Sequence, residues 1–314
     1  MNNTNTISRR KIIQLLGASA GLAFIPSSLR SQASREPASK NFIYCLNTAT
    51  IREHKLGMVK ELEVISKAGF TGVEIWMNTL QEYIDRGGSL PDLKKRIADL
   101  GLTVENAIGF AQWIVDDDTT RKNAIEQLEK EMDQLAQIGC RRTAAPPAGA
   151  TDHPGLDMKK AAERYRAILE LGDKTGVVPH LELWGFSANL NKLSDVIYVA
   201  IESGHPKAKV LLDNYHLYKG GSSIDSLHLM DNSAVDIFHM NDYTDIPRAT
   251  IKDEDRILPG DGISPLPRIL KTLKDPSRKL VLSVEIFNKK YYAMEADKVT
   301  KMAFEKLKEV TQGI

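Results

Sequence analysis

Four ionisable residues follow apolar runs in the second half of the chain, and together they could bind a cation. Glu182 lies in HLELW, Asp213 in KVLLDNYH, His239 in IFHMND and Glu285 in LSVEIF. If these runs are neighbouring parallel strands, the four side chains meet at one edge of the sheet. Three converging carboxylates repel one another and raise each other's pKa. A divalent metal ion would remove that cost, so the sequence predicts a metal site.

The set of ligands also limits which metal is expected. Three carboxylates and one imidazole are fairly hard donors, so we expect one divalent metal, Mn²⁺ first, with Mg²⁺, Co²⁺ or Zn²⁺ as alternatives. Taken alone, Glu285 could cap a loop and His239 could be a satisfied core histidine. Their equivalent positions in four successive units favour a shared metal site.

The elements that must position these residues alternate regularly along the chain. Apolar runs typical of buried parallel strands are each followed by an amphipathic segment. The predicted strands are 42–47, 72–76, 102–109, 140–146, 177–184, 209–216, 235–242 and 279–287. The first three predicted helices end at Gly69, Gly101 and Gly139. The other five span 157–175, 191–203, 222–230, 264–274 and 291–312. Eight such pairs predict an α/β fold, a single (β/α)8 TIM barrel with its active site at the carboxyl ends of the strands. A doubly wound open sheet is the competing architecture.

Other side chains could belong to this site. Glu74 ends the second strand and could contact substrate or pair with a local arginine. His180 lies two residues before Glu182 and so points the same way, either supporting a ligand or packing in the core. Trp184 could stack on a sugar face or simply pack. Arg248 lies in a long polar loop, HMNDYTDIPRATIKDEDRILPGDG. This loop could be a lid or sugar-binding loop, or a solvent-exposed surface loop.

The first 33 residues have the pattern of an export signal. Arg9, Arg10 and Lys11 precede an apolar run at 12–26 that is too short to span a bilayer comfortably. The stretch SRRKIIQ resembles a twin-arginine signal, with an ordinary secretory leader or a retained anchor as alternatives. We expect residues 1–33 to be removed, 34–40 to be a disordered lead-in and 41–314 to form the barrel. The expected location is the periplasm, without stable membrane insertion.

Net charge and cysteine content limit the expected binding partners and disulfide bonds. The chain has a net charge of +1, and removing a leader with four basic and no acidic residues takes it to −3. A slightly acidic chain argues against nucleic acid as a partner. The sequence leaves a homodimer as one option for the assembly. Cys45 and Cys140 could form a disulfide, but their positions favour two buried thiols.

Several motifs, taken together, resemble one known family. GF-x-x-VEIW at 69–76, Glu182, Asp213-x-x-His216, His239 and the final VEIFN are similar to the xylose isomerase-like TIM barrels, which include sugar phosphate isomerases and epimerases. The resemblance extends over residues 41–312. It implies that Glu182, Asp213, His239 and Glu285 are the metal ligands. It also implies that His216 contacts substrate.

The resemblance further implies that Glu182 and Glu285 act as an acid/base pair on a free ketose or keto-sugar. Removal of the proton next to the carbonyl would give an enediolate, and its return elsewhere would give isomerisation or epimerisation. A leaving group on the β-carbon would instead make the enzyme a lyase of 3-keto-glycosides. One departure from the family is Asp245, which stands where ketose 3-epimerases carry an arginine.

Two further functions are weaker alternatives. An endonuclease IV-like nuclease would need additional histidines, and before His180 the chain after the leader offers only His54 and His153. A non-catalytic sugar-binding barrel would not need two apposed glutamates.

Overall fold

The structure, a computed structural model, describes residues 40–314. The predicted leader, 1–33, and nearly all of the predicted lead-in lie outside the described residues. Eight parallel strands form one sheet in the order β3-β2-β1-β8-β7-β6-β5-β4. They are β1 Phe42–Asn47, β2 Gly72–Trp76, β3 Thr103–Ile108, β4 Arg142–Ala145, β5 Val178–Glu182, β6 Val210–Asp213, β7 Ile237–Met240 and β8 Leu280–Val284. The prediction of a single TIM barrel is therefore confirmed.

The barrel closes at the seam between β3 and β4, which side chains bridge. The Thr143 hydroxyl donates to the Ala107 carbonyl at 3.3 Å, and Arg142 Nη1 donates to the Glu105 carbonyl at 2.8 Å. The same arginine pairs with the Glu105 carboxylate at 2.9 Å. Polar side chains thus join the two strands that are not paired in the backbone ladder.

Helices cover the outside of the barrel. They are α1 Met58–Ala68, α2 Met77–Asp85, α3 Leu90–Asp99, α4 Asp118–Gln137, α5 Met158–Thr175, α6 Leu193–Glu202, α7 Asn214–Gly220, α8 Leu266–Leu273, α9 Lys289–Tyr292 and α10 Ala296–Thr311. None of the helices in residues 40–314 is long and apolar enough to cross a membrane. A local signal explains where α3 starts: the Ser89 hydroxyl accepts from the Asp92 backbone amide, as expected of an N-cap.

Two sequence predictions need correction after β6. The strand predicted to reach residue 216 ends at Asp213, because the Asp213 carboxylate accepts the His216 backbone N–H at 2.8 Å and starts α7 there. The α-helix predicted over 222–230 is a short 3₁₀ helix, Ile224–Leu229. The helix after β6 is therefore built from the segment that carries His216.

The strand pleat decides which residues face the barrel interior. Along β8, Val281 and Ser283 share a face with Glu285, since side chains alternate along a strand. Val281 belongs to a small buried apolar cluster with Cys45, Ile108, Ala144, Leu211 and Ile237. This cluster fills the barrel below the ionisable residues. Cys45 and Cys140 are buried and unpaired, in agreement with the interpretation of two buried thiols.

Candidate metal centre and active site

Three side chains from consecutive strands meet at the carboxyl end of the barrel. Asp213 ends β6, His239 lies in β7 and Glu285 follows β8, and each offers one ligand atom within 4.8 Å of the others. His239 Nδ1 lies 3.7 Å from Asp213 Oδ2 and 3.3 Å from Glu285 Oε2. Glu182, at the end of β5, places Oε1 3.9 Å from the same nitrogen. The structure thus brings all four predicted ligands around one point.

The donor atoms in this cluster fit a divalent metal. Two of them, His239 Nδ1 and Glu182 Oε2, are buried without a hydrogen-bond partner among the described residues. A buried polar atom without a partner is costly unless a ligand satisfies it. One imidazole nitrogen and several carboxylate oxygens form a set that accepts Mn²⁺, Mg²⁺ or Zn²⁺. The cluster is therefore the candidate metal centre.

Glu74 lies behind His239 and holds its ring. Its Oε1 accepts from His239 Nε2 at 3.0 Å, which directs Nδ1 toward the carboxylates. Asn106 donates to the same oxygen at 2.7 Å, while Asn47 and Ser283 donate to Oε2 at 2.9 and 2.6 Å. Sequence analysis gave substrate contact or an arginine partner as the options for Glu74. The structure instead gives it a fully buried supporting position.

Arg256 is a residue of the site that sequence reasoning did not select. Its Nη1 donates to Asp213 Oδ2 at 3.0 Å and to Glu285 Oε2 at 2.8 Å, and Nη2 lies 3.1 Å from His216 Nε2. The side chain is only 1% exposed. A guanidinium therefore neutralises part of the negative charge of the three carboxylates.

The loop after β7 carries Arg256 back over the barrel. Asp242 and Ile257 form an antiparallel backbone bridge, with N–H···O distances of 2.8 and 2.9 Å in the two directions. The guanidinium of Arg256 then lies 4.3 Å from the ring centre of Tyr215 and 5.0 Å from that of Phe287. Packing between two aromatic faces fixes the direction of the charge.

Arg248, the arginine selected from the sequence, lies elsewhere. It is exposed, and its guanidinium lies 5.8 Å from the ring of Tyr218. The selection failed because both arginines share one polar loop, and sequence alone does not show where the loop turns back. The PGDG turn directly after Arg256 was the available signal, since Gly260 and Ser264 donate backbone N–H groups to Asp242 at 3.0 and 2.9 Å.

The two glutamates have opposite electrostatic environments. Burial raises the pKa of Glu182 to about 8, and His239 only partly offsets this. Burial also acts on Glu285, but His239 and Arg256 outweigh it and lower the pKa of Glu285 to about 2. Two carboxyl groups beside one imidazole nitrogen thus have pKa values shifted in opposite directions.

The remaining predicted residues divide between the site and the rest of the barrel. His216 and Trp184 line the cavity above the cluster. Burial lowers the pKa of His216 well below its usual value, with Arg256 adding to the effect, so its ring is neutral. His180 faces Asp236, which directly precedes β7, at 3.8 Å. It therefore lies toward the amino-terminal end of the strands and does not support the metal ligands.

A cavity of about 940 Å³ opens above the cluster. Glu182, His216, Arg256 and Glu285 form its polar floor. Loops at the carboxyl ends of the strands form its walls, which is where TIM barrels place their active sites.

Comparison with known proteins places this geometry in one family. A model described as xylose isomerase-like TIM barrel matches residues 62–310. The chain belongs to the xylose isomerase-like TIM barrel family. The resemblance identified from the sequence motifs is thereby confirmed.

Relatives within the family are enzymes. An inosose isomerase of Bacillus licheniformis is 29% identical over 272 residues, covering 85% of this chain and 96% of that protein. A 3-dehydro-D-guloside 4-epimerase of Escherichia coli is 25% identical over 175 residues, covering 51% of this chain and 64% of that protein. These relatives confirm the prediction of an enzyme, and sugar isomerase or epimerase is the class they indicate.

A solved structure also supports the metal site. The IOLI protein with a bound zinc atom has a TM-score of 0.77 and 25% identity, with 86% of this chain and 98% of that chain covered. The prediction of a divalent metal agrees with the buried Asp213, His239 and Glu285 triad and with this relative. Mn²⁺ as the native ion stays a prediction.

Proposed function

We propose that this protein is a divalent-metal-dependent isomerase or epimerase that converts a ketose or cyclic keto-sugar through an enediolate. The observation that carries the proposal is the pair of buried carboxyl groups, Glu182 and Glu285, around His239 Nδ1 at the floor of one cavity. Inosose isomerases are relatives over most of the chain, which supports a polyhydroxylated cyclic ketone as the class of substrate.

Glu182, Asp213, His239 and Glu285 would hold the metal. When bound, the ion would supply Lewis-acid stabilisation of negative charge on the substrate's carbonyl oxygen and adjacent hydroxyl. Glu74 orients the imidazole for this role, since its carboxylate accepts from His239 Nε2 at 3.0 Å. Arg256 orients the two carboxylates that it contacts.

We assign the removal of the substrate's α-proton to Glu182. Its Oε2 is buried without a hydrogen-bond partner among the described residues, so this oxygen is free to accept the proton. Glu285 is more constrained, because Asn47 donates to Oε1 at 2.9 Å and Arg256 donates to Oε2. For isomerisation, Glu182 itself would return the proton to the neighbouring carbon, while the hydroxyl proton passes between the two oxygens. For epimerisation, Glu285 would relay a proton from solvent to the opposite face, and Glu182 would release the proton it removed to solvent.

Arg256 and His216 would bind oxygens of the substrate beside this pair. The neutral His216 accepts at Nε2 from Arg256 Nη2, which leaves the proton on Nδ1. That nitrogen is buried without a partner in the described residues, so it can donate to a substrate oxygen. Hydrogen-bond donors fixed in advance stabilise charge that develops on oxygen in the transition state.

A lyase that cleaves 3-keto-glycosides is the second candidate. The same enediolate would expel a leaving group from the β-carbon, and the four ligands do not discriminate between the two outcomes. The size of the cavity, about 940 Å³, favours keeping this candidate because a bulky leaving group would fit.

Hydrogen exchange with solvent tests the proposal. Protein lacking the leader and loaded with Mn²⁺ would be incubated with free ketoses, an inosose and 3-keto-glycosides in D₂O, and the products analysed by NMR and mass spectrometry. We expect deuterium at the carbon next to the carbonyl, and a loss of at least about 100-fold in Glu182→Gln. Glu305→Gln, at an exposed position on α10, is the matched control.

The outcomes separate the candidates. Exchange with an intact product supports the isomerase or epimerase, whereas release of an aglycone identifies a lyase. If none of the substrates exchanges, or if Glu182→Gln exchanges at the wild-type rate, the proposed chemistry is wrong.

We also propose that residues 1–33 direct the protein to the periplasm. The arginine pair and the short apolar run support export. Mass spectrometry of the protein recovered from each cell fraction would test this, since an intact amino terminus in the cytoplasm contradicts it.

A further inference from the structure

One wall of the active-site cavity is built from aromatic rings. Neighbouring rings contact one another along the wall: Phe287 with Trp76 at 6.3 Å between ring centres, Trp76 with Phe110 at 5.3 Å, and Phe110 with Trp184 at 6.1 Å. Trp184 then stacks on Phe186 at 5.2 Å. All five rings line the cavity, and we call them the aromatic wall.

The aromatic wall presents apolar surface to solvent. Phe110 is 44% exposed and Phe186 is 47% exposed, and both are among the most exposed large apolar side chains in residues 40–314. Two such residues beside one cavity are a signature of a binding surface rather than of chance exposure. Trp184 between them provides a third accessible ring.

Two rings of the wall, Trp76 and Phe287, are tied to the polar floor. Trp76 Nε1 donates to Asn47 Oδ1 at 2.9 Å, and the amide of Asn47 donates to Glu285. Arg52 packs over the rings of Trp76 and Phe287, at 5.5 and 5.0 Å from their centres. A ligand on the floor and a group on the wall would therefore have a fixed geometry.

The charged residues around the mouth of the cavity do not select a charged substituent. Lys289 pairs with Glu254 at 3.1 Å, and Arg52 pairs with Glu53 at 3.5 Å. Glu53, Asp253 and Glu254 line the cavity beside these cations. Because both signs of charge are present there, the mouth favours a neutral group over a phosphate.

The volume of the cavity exceeds what one sugar ring requires. About 940 Å³ is near the upper end of the roughly 300–1,000 Å³ that encloses drug-sized ligands, and a monosaccharide is far smaller than such a ligand. The floor groups can engage one polyhydroxylated ring only. The space along the aromatic wall is left for a second group.

We propose that the substrate has two rings, with the keto-sugar ring on the polar floor and a neutral second ring stacked on Phe110, Trp184 and Phe186. The second ring is an aryl aglycone or another sugar, since both present a flat face with apolar C–H or π surface. The position of the first ring rests on the proposed function. Within the proposed function, this inference names the substrate as a keto-glycoside, a cyclic ketone that carries a second ring.

Binding of unreactive glycosides tests this inference without requiring turnover. Methyl β-D-glucoside, phenyl β-D-glucoside and cellobiose have no ketone, so calorimetry on the Mn²⁺-loaded protein reports only binding. We expect phenyl β-D-glucoside or cellobiose to bind about 3- to 10-fold more tightly than the methyl glucoside. Phe110→Ala and Phe186→Ala should each reduce this ratio, while Tyr198→Ala, an exposed aromatic on α6 outside the cavity, should leave it unchanged.

Each outcome decides the inference. A tighter phenyl glucoside supports an aryl aglycone, and tighter cellobiose supports a second sugar. If neither binds more tightly than the methyl glucoside, including no binding by any of the three, or if both alanine variants keep the full ratio, the inference is overturned. A ring preference without exchange in D₂O would refute the proposed chemistry alone, and exchange without a ring preference would refute the second ring alone.

Discussion

Replacing Arg256 by methionine should destabilise the chelator-treated protein strongly and the metal-loaded protein much less. Arg256 Nη1 is the cation within 3.0 Å of both Asp213 and Glu285, and all three side chains are buried. Methionine keeps the length and apolar stem of the side chain but removes its charge. The two carboxylates then lose a cationic partner whose charge a bound metal ion would replace.

The structure sets the size of the effect. Removing one partner of a buried ion pair costs about 3–5 kcal/mol, because the remaining charge is left uncompensated. A domain of 275 residues unfolds with an entropy of about 0.6 kcal/mol/K, so this corresponds to a drop in Tm of about 5–9 °C. Uptake of a proton by Asp213, whose pKa burial already raises, keeps the loss from being larger. Since the metal restores positive charge, its addition should raise the Tm of Arg256→Met by more than it raises that of the wild type.

Thermal unfolding with EDTA and with Mn²⁺ measures both quantities. Arg248→Met is the matched control, because this arginine lies on the same loop but is exposed and away from the metal centre. It should change Tm by little in either condition. If Arg256→Met is as stable as Arg248→Met in EDTA, or gains no more from the metal than the wild type does, the assigned electrostatic role of Arg256 is wrong.

Two further predictions concern stability outside the metal ligands. Burial raises the pKa of Glu61 from 4.5 to about 7, so the folded protein binds this proton more tightly than the unfolded chain, and stability should fall by about 3 kcal/mol as pH rises through that window. Urea unfolding at pH 4 and pH 8 should therefore show a loss about 3 kcal/mol larger in the wild type than in Glu61→Gln. A methyl group at Gly185 would lie 2.3 Å from the backbone oxygen of His216, so Gly185→Ala should cost about 1–3 kcal/mol. Gly109→Ala, whose methyl would meet only side chains, is the control, and equal losses in the two variants would contradict this explanation.

The sequence was sufficient for the fold and for bringing together the four predicted ligands because both depend on one regular pattern. In a parallel barrel, residues at the carboxyl ends of the buried strands lie at the same rim. Glu182, Asp213, His239 and Glu285 therefore come together without any knowledge of loop paths. Glu74 lies in the middle of β2, and whether it faces the cavity or lies behind His239 depends on the position of one imidazole ring. Strand periodicity does not contain that information.

Two residues show what strand periodicity alone does not predict, namely the path of a loop and the depth of a side chain in the barrel. Arg256 reaches the site only because the bridge between Asp242 and Ile257 turns the loop back over the barrel. His180 has the parity expected for the barrel interior, yet it lies one layer below Glu182 and faces Asp236. Parity gives the face of a strand, but the depth along the barrel decides whether a side chain contributes to the site.

Charge balance links Arg256, which was not predicted from the sequence, to the predicted metal. Glu182, Asp213 and Glu285 offer three negative charges within 4 Å of one nitrogen, and Arg256 supplies one positive charge among them. With His239 neutral as a ligand and all three carboxylates ionised, a divalent ion would bring the sum to zero. Within the described residues, Arg256 bonds to Asp213 and Glu285 and makes no ion pair with Glu182, whose Oε2 has no hydrogen-bond partner and is left free to accept a proton. The same loop residue that stabilises the ligands thus distinguishes the two glutamates chemically.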